Sequence, residues 1–262
     1  MTEQTETEQT ETEQTEFSEI AAECLGVKVP ASPFLTEKRI ARINAAQYEG
    51  LEMAGALHVV RPEDVVLEIG AGIGVVGAVI AAKAKPRAVH SFEANPELIP
   101  AIEALYAAND LGARISVRNA VLVSAPERPD TMTFHVHSSY LGSSLIEPSR
   151  RKSRAVEVPT ESFSEVCAAL NPTVLVMDIE GGEQEILRHA DLSGFRAMVL
   201  EFHPKAYGIG GMRECKNILR AAGFERIAEK SKRTVWTCER ATEIEAENEA
   251  ENEAGTGTQA VA

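Results

Sequence analysis

The chain predicts an α/β protein built on a doubly wound, mostly parallel sheet. Three observations carry that expectation. The apolar run Val65-Val66-Leu67-Glu68-Ile69 feeds straight into Gly70-Ala71-Gly72-Ile73-Gly74. Further apolar runs end in acids at Glu93, Asp178 and Glu201, as strands covered on both faces do. Helical stretches separate these runs through residues 65–222, and that alternation makes parallel sheets.

The elements follow in chain order. Residues 36–57 place Ile40, Ile43, Tyr48, Leu51 and Ala54 at roughly helical spacing, so residues 17–60 read as an N-terminal helical segment. Pro62-Glu63-Asp64 turns the chain into the first strand, and the Ala-, Val- and Ile-rich residues 73–84 form the first crossover helix, stopped by Pro86. Residues 88–92 are strand two; Asn95-Pro96-Glu97 opens the next helix with Asn95 as cap. Residues 115–122 are strand three, with further strands expected at 131–136 and 156–158. Thr173 to Met177 is a buried strand delivering Asp178; residues 183–190 are helical; residues 197–200 repeat the strand pattern and end in Glu201. A helix over 212–222 closes at Gly223, and short strands near 224–228 and 234–238 predict a C-terminal β-hairpin. The main domain is thus 61–240.

The formal charge of −14 belongs mostly to the ends. Residues 2–16 are three copies of Thr-Glu-Gln-Thr-Glu, and residues 241–262 carry six more Glu and no base. Segments 1–16 and 241–262 therefore read as disordered acidic tails, since neither has an apolar face to bury. Without the twelve tail acids, 28 acids face 26 bases, a net charge of −2. That balance argues against nucleic acid as partner through a broad basic surface, although Arg150, Arg151, Lys152 and Arg154 form one basic cluster. Cys24, Cys167, Cys215 and Cys238 match no metal-ligand spacing and suit a reducing compartment. No membrane partner is expected, because no apolar run approaches a span; a soluble cytoplasmic protein of open oligomeric state follows.

Two strand ends with acids and intervening glycines make a nucleoside-binding edge. Gly70, Gly72 and Gly74 let the backbone pass close under a ligand. Glu93, 25 residues after Glu68, is placed to accept from both ribose hydroxyls. The glycines alone are ambiguous: Gly72, Gly74 and Gly77 also satisfy the dinucleotide spacing, so an NAD-dependent oxidoreductase is the alternative. Three features favour S-adenosyl-L-methionine. A carboxylate at Glu68 would repel a pyrophosphate but receives a methionine ammonium directly or through water. A paired-strand unit closes the chain, and there is no second domain to position a hydride acceptor. A non-catalytic S-adenosylmethionine-binding interaction module, with the acidic tails engaging a partner, is the other alternative.

Met177-Asp178-Ile179-Glu180-Gly181-Gly182-Glu183, followed by Ile186-Leu187, resembles the hallmark of the FkbM family of methyltransferases. Val65 to Gly74, Phe92-Glu93-Ala94-Asn95-Pro96, Asn119-Ala120 and Val199-Leu200-Glu201-Phe202-His203 fall in that family's order, over about residues 48–238. The resemblance implies a class I, Rossmann-like methyltransferase domain. Its methyl donor would be S-adenosyl-L-methionine, held by Glu68, Gly70, Gly72, Gly74, Glu93, Ala94, Asn119 and Ala120. It also implies O-methylation of a hydroxyl on a small-molecule or glycosyl acceptor. Ile73 stands where the family often has Asn, and Val176 where it often has Lys, which leaves the charge around Asp178 more negative than the family pattern.

Asp178 and Glu180 leave the carboxyl end of a central strand and fall on one side of an extended segment. With His203, after the next strand, they are the candidate catalytic residues for holding or deprotonating an acceptor. His135 and His137 share a face but lack a third ligand, so no metal site is assigned. The polar run Ser138–Ser144 is a candidate acceptor loop.

Overall fold

The structure, a computed structural model, describes residues 19–137 and 153–241. The acidic tails, the Ser138–Ser144 run and Arg150, Arg151 and Lys152 lie outside the described residues. Strands β1 (Ile20–Cys24) and β2 (Val27–Pro30) precede helices α1 (Glu37–Asn44) and α2 (Gly50–Val59). Then come β3 (Val65–Ile69), α3 (Val75–Lys83), β4 (Ala88–Glu93), α4 (Ile99–Ala108) and β5 (Ile115–Asn119). A short annex follows: β6 (Val121–Val123), β7 (Thr131–His137) and β8 (Ser153–Ser162). The second half is α5 (Phe163–Leu170), β9 (Val174–Met177), α6 (Glu183–His189), β10 (Ala197–Glu201), α7 (Pro204–Ala221), β11 (Phe224–Arg226) and β12 (Val235–Arg240).

The main sheet has seven strands in the order β11-β12-β10-β9-β3-β4-β5. All neighbours from β10 to β5 pair in parallel; β12 runs antiparallel between β10 and β11. Every residue of β3 and β9 is buried, because helices cover both faces. One core packs α2, α3, α4 and the β1–β2 hairpin on one face, around Val66, Val79, Ile80, Ile102 and Val199. The other packs α5, α6 and α7 on the opposite face, around Leu67, Leu175, Phe195 and Phe202. The chain moves from β3 out to β5, then returns to β9 on the other flank of β3. That reversal opens a crevice at the carboxyl ends of the strands, where doubly wound sheets take ligands.

The N-terminal segment departs from the helical expectation. Residues 20–30 form an antiparallel hairpin, turned by Leu25 and Gly26 with φ of 48° and 80°. Two consecutive positive φ values suit a two-residue hairpin turn, but leucine there hides the signal. The helical region itself is broken in two at Ala46 and Glu49, both left-handed. Helix α5 was not anticipated; Ser162 caps it by accepting from the Glu165 N–H, the S-x-x-E spacing of a capping box. Helix α7 starts at Pro204 rather than 212 and bends at Gly208, whose φ is 75°.

Candidate active site

The glycine turn is set by backbone contacts. Gly70 and Ala71 N–H both donate to Phe92 O, at 2.8 and 3.1 Å, tying the turn to the end of β4. At Gly70 φ is +87°, and a Cβ there would stand 1.8 Å from Asp178 O. Only glycine allows that approach between the two central strand ends. Gly72 is left-handed too, and a Cβ on it would point into open space, with Tyr48 Oη 3.5 Å away as its nearest neighbour. Gly74, at φ +81°, is the N-cap of α3 and packs on Ile102; it serves the turn rather than the cleft wall.

Glu93 is the acid this turn points to. Its Oε2 accepts from Gly72 N–H at 2.8 Å and its Oε1 from Asn95 N–H at 2.8 Å. Burial pushes its carboxyl up to about 7, against the lowering by the Asn95, Gly72 and Ala94 N–H groups. Asn119 Nδ2 donates to Glu93 O and Ala94 O, at 2.8 and 3.1 Å, and so braces the end of β4. Ala94 and Ala120 line the cleft beside Glu93. Glu68 is different. It is 2% exposed, and Oε2 accepts from Ser91 Oγ. The Gly77 N–H also bonds its carboxylate, and burial raises it to about 7. Those bonds make Glu68 an anchor for the start of α3 while it also lines the cleft.

Across the cleft, Asp178 follows β9, its N–H donating to Ile69 O at 3.0 Å. Its Oδ1 is buried and has no hydrogen-bond partner. Burial and then the charge of Glu201 push the carboxyl well above its usual range, with Glu49 and Glu180 adding to the shift and His203 opposing it. Glu180 stands at φ 54°, beside Gly181 at φ 125°; a non-glycine residue in that region costs about 1–3 kcal/mol and clusters at functional sites. His203 Nδ1 lies 2.7 Å from Oε1 of the fully buried Glu183, while Nε2 lies 3.5 Å from Asp178 Oδ1 and 3.4 Å from Glu180 Oε2. Burial lowers the imidazole pKa, but the Glu183 bond and charge, with Asp178 and Glu180, outweigh it and raise it to about 9. His203 is therefore charged at neutral pH, a brace for the carboxylates rather than a free base. Asp178, Glu180 and His203 are thus brought together.

Sequence reasoning passed over three glutamates as site residues. Glu49 and Glu52 reach the cleft from α2. Gly55 lets that helix lie against Thr237 and Val199, which brings Glu52 to hydrogen-bond Glu201. Glu183, in the first turn of α6, holds the imidazole. The available signal was Glu52 as a lone acid in the apolar run Met53-Ala54-Gly55-Ala56-Leu57. Of the other histidines, His90 contacts Ser116 Oγ at 3.2 Å and His135 sits on β7; neither reaches the cleft. Trp236 packs edge-on against Phe202 in the core.

These elements enclose a cleft of about 480 Å³. Eight carboxylates line it (Glu49, Glu52, Glu68, Glu93, Glu127, Asp178, Glu180 and Glu185), with no Lys, Arg or His among the described lining residues. Such a wall repels a diphosphate and suits a ligand with positive charge.

The sequence profile described as the Methyltransferase FkbM domain matches residues 68–226. The chain belongs to the FkbM methyltransferase family. It is an S-adenosyl-L-methionine-dependent methyltransferase, and the residues present fit that cofactor. With three N–H donors on its carboxylate, Glu93 keeps one acceptor site for a ribose hydroxyl, Gly72 leaves room that a Cβ would fill, and the acidic wall complements a sulfonium. No curated protein matches the chain. Solved structures with a similar fold include a ribosomal protein L11 methylase from Lactobacillus delbrueckii subsp. bulgaricus. It is 13% identical, with 74% of this chain and 79% of that chain covered and a TM-score of 0.45. A protein in the NADB-Rossmann superfamily from Streptococcus agalactiae is 14% identical, with 72% and 67% covered and a TM-score of 0.44. TYW2 from P. horikoshii, in complex with MeSAdo, is 15% identical, with 82% and 66% covered and a TM-score of 0.42. Among the described residues, no helix is long and apolar enough to cross a membrane.

Proposed function

We propose that this methyltransferase acts on a hydroxyl of a small-molecule or glycosyl acceptor, at the carboxyl edge formed by Asp178, Glu180 and His203. The observation that carries the reading is Asp178: a buried, unbonded carboxylate oxygen on the cleft shared with Gly72 and Glu93. The bound cofactor supplies an electrophilic methyl group, so placement is most of what the protein has to add. An alcohol must also lose its proton around the time of attack. Asp178 accepts a hydrogen bond from the acceptor hydroxyl and then its proton. The raised proton affinity of its carboxyl suits that task when it is ionised, and the His203 imidazolium beside it favours the ionised form. Glu180, at the cleft wall, holds a further hydroxyl of the acceptor. Glu68, Gly70, Gly72, Gly74, Glu93, Ala94, Asn119 and Ala120 shape the cofactor side, with Gly74, Asn119 and Glu68 acting through the backbone they hold.

Asp178→Asn keeps the shape and removes the charge. Transfer of labelled methyl from S-adenosylmethionine to a panel of hydroxylated metabolites should fall by roughly 10²-fold or more, with S-adenosylhomocysteine affinity retained. Undiminished transfer would end the assignment; loss of cofactor binding would move Asp178 to the cofactor side.

A further inference from the structure

We propose that Asp178, Glu201 and His203 form a divalent-cation site, of a kind suited to Mn²⁺, on the acceptor side of the cleft. The cation would hold the acceptor oxygen. That role rests on the methyl-transfer reading above; the cation site stands without it. One ligand atom from each of the three residues lies within 4.8 Å of the other two. They come from the ends of the adjacent strands β9 and β10, so the sheet itself fixes their spacing.

Three further features point to an ion. First, Asp178 Oδ1 is inaccessible and unbonded, an expensive arrangement for a carboxylate unless something binds it. Its distance to Nε2, 3.5 Å, is long for a hydrogen bond. Second, the ring is already oriented as a ligand. Nδ1 is paired with Glu183, which is fully buried, and Nε2 is aimed at Asp178; a carboxylate on the far ring nitrogen is the usual support of a metal-bound histidine. Glu52, 6% exposed, meets Glu201 through a hydrogen bond in which the two carboxyls share one proton. Third, the charges do not balance. Glu49, Glu52 and Glu201 place a second set of carboxylate oxygens within 4.8 Å of one another, joined to the first set through Glu201. A divalent ion brings two positive charges to that carboxylate cluster. Mixed imidazole and carboxylate donors favour Mn²⁺ over Mg²⁺. Glu180 Oε2, 3.4 Å from Nε2, borders the set on the cleft side, where an acceptor oxygen would enter.

The test is a titration of Mn²⁺ with the full-length chain, without cofactor, followed by the free-ion electron paramagnetic resonance signal. One bound Mn²⁺ per chain is expected. Its affinity should drop roughly tenfold or more in Glu201→Gln and in Asp178→Asn, two shape-conserving variants whose folding is checked by circular dichroism. No bound Mn²⁺ at millimolar ion, or equal affinity in wild type and both variants, would overturn the site. Calorimetry of S-adenosylhomocysteine on the same samples in chelator reads the cofactor edge separately. Its failure would count against the methyl-transfer reading and leave the Mn²⁺ count as it is.

Discussion

At Glu93 three backbone N–H groups grip one carboxylate, which still has one acceptor site to offer. Replacing it with alanine removes a charged acceptor from the cofactor edge. Glu93→Ala should weaken S-adenosylhomocysteine binding by on the order of 1–3 kcal/mol, measured by calorimetry on the folded variant; unchanged affinity would remove Glu93 from the ribose site. Residues such as Glu93 and Asp178 were legible because each ends an apolar run, and a strand end is a position that sequence alone can locate. Glu49, Glu52 and Glu183 were not, because they meet the site from helices whose placement depends on packing. The charge of His203 was also hidden: its partner Glu183 lies 20 residues away, in another element.

Elements meet at Arg196, which enters β10. Its guanidinium bonds Asp64 before β3, the Val59 carbonyl at the end of α2 and Glu239 on β12. Asp64 is 1% exposed and Glu239 4%, so removing the guanidinium takes the main countercharge from two buried carboxylates, leaving Asp64 with Arg61 N–H and Thr173 and Glu239 with Arg61. Arg196→Ala should cost about 3–5 kcal/mol of stability, read as a lowered denaturant midpoint at neutral pH. A change within experimental error would show that water replaces the guanidinium. The helix–strand alternation from β3 to β10 was readable because buried parallel strands leave continuous apolar runs. Hairpin β1–β2 was not, since Leu25 occupies a turn position that normally advertises itself with asparagine or glycine. Helix α5 did carry its capping signal, Ser162 with Glu165, within a stretch too short for a clear period.

The whole molecule carries an unusual proton inventory. Burial leads the causes that raise Glu49, Glu68, Glu93 and Glu201 to about 7. His203 is raised to about 9 by Glu183 and its neighbours despite burial. Unfolded, these groups titrate near about 4.3 and about 6.5. A raised folded value means that the native state holds protons the unfolded chain releases. The associated stability is complete below the unfolded pKa and is lost as pH rises through the folded one. Glutamates and histidine therefore act in the same direction. The melting temperature of the cofactor-free protein should fall steadily from about pH 5 to about pH 9; a rise across that window would contradict the burial of these acids. Asp64 works oppositely. Burial alone would raise it, but Arg196, Arg61 N–H and Thr173 hold it low, so its contribution fades only as pH falls through that depressed value, below the window. None of this was visible in the net charge of −14, because the formal count treats a buried acid and a tail acid alike.

The third glycine of the dinucleotide-like spacing has a use of its own. A Cβ on Gly77 would come within 2.3 Å of Glu68 Oε2 and 3.0 Å of Ile115 Cδ1, so this glycine makes room for a buried carboxylate rather than for a diphosphate. Positions 68 and 77 are then sterically coupled. Alanine at 77 meets the acid at 68 first and Ile115 second, so most of its cost is tied to Glu68. Gly77→Ala should destabilise the protein alone and be better tolerated on a Glu68→Ala background. A purely additive pair of melting-temperature shifts would dissolve the coupling. A pattern search that scores these glycines as a dinucleotide signature is reading the imprint of Glu68.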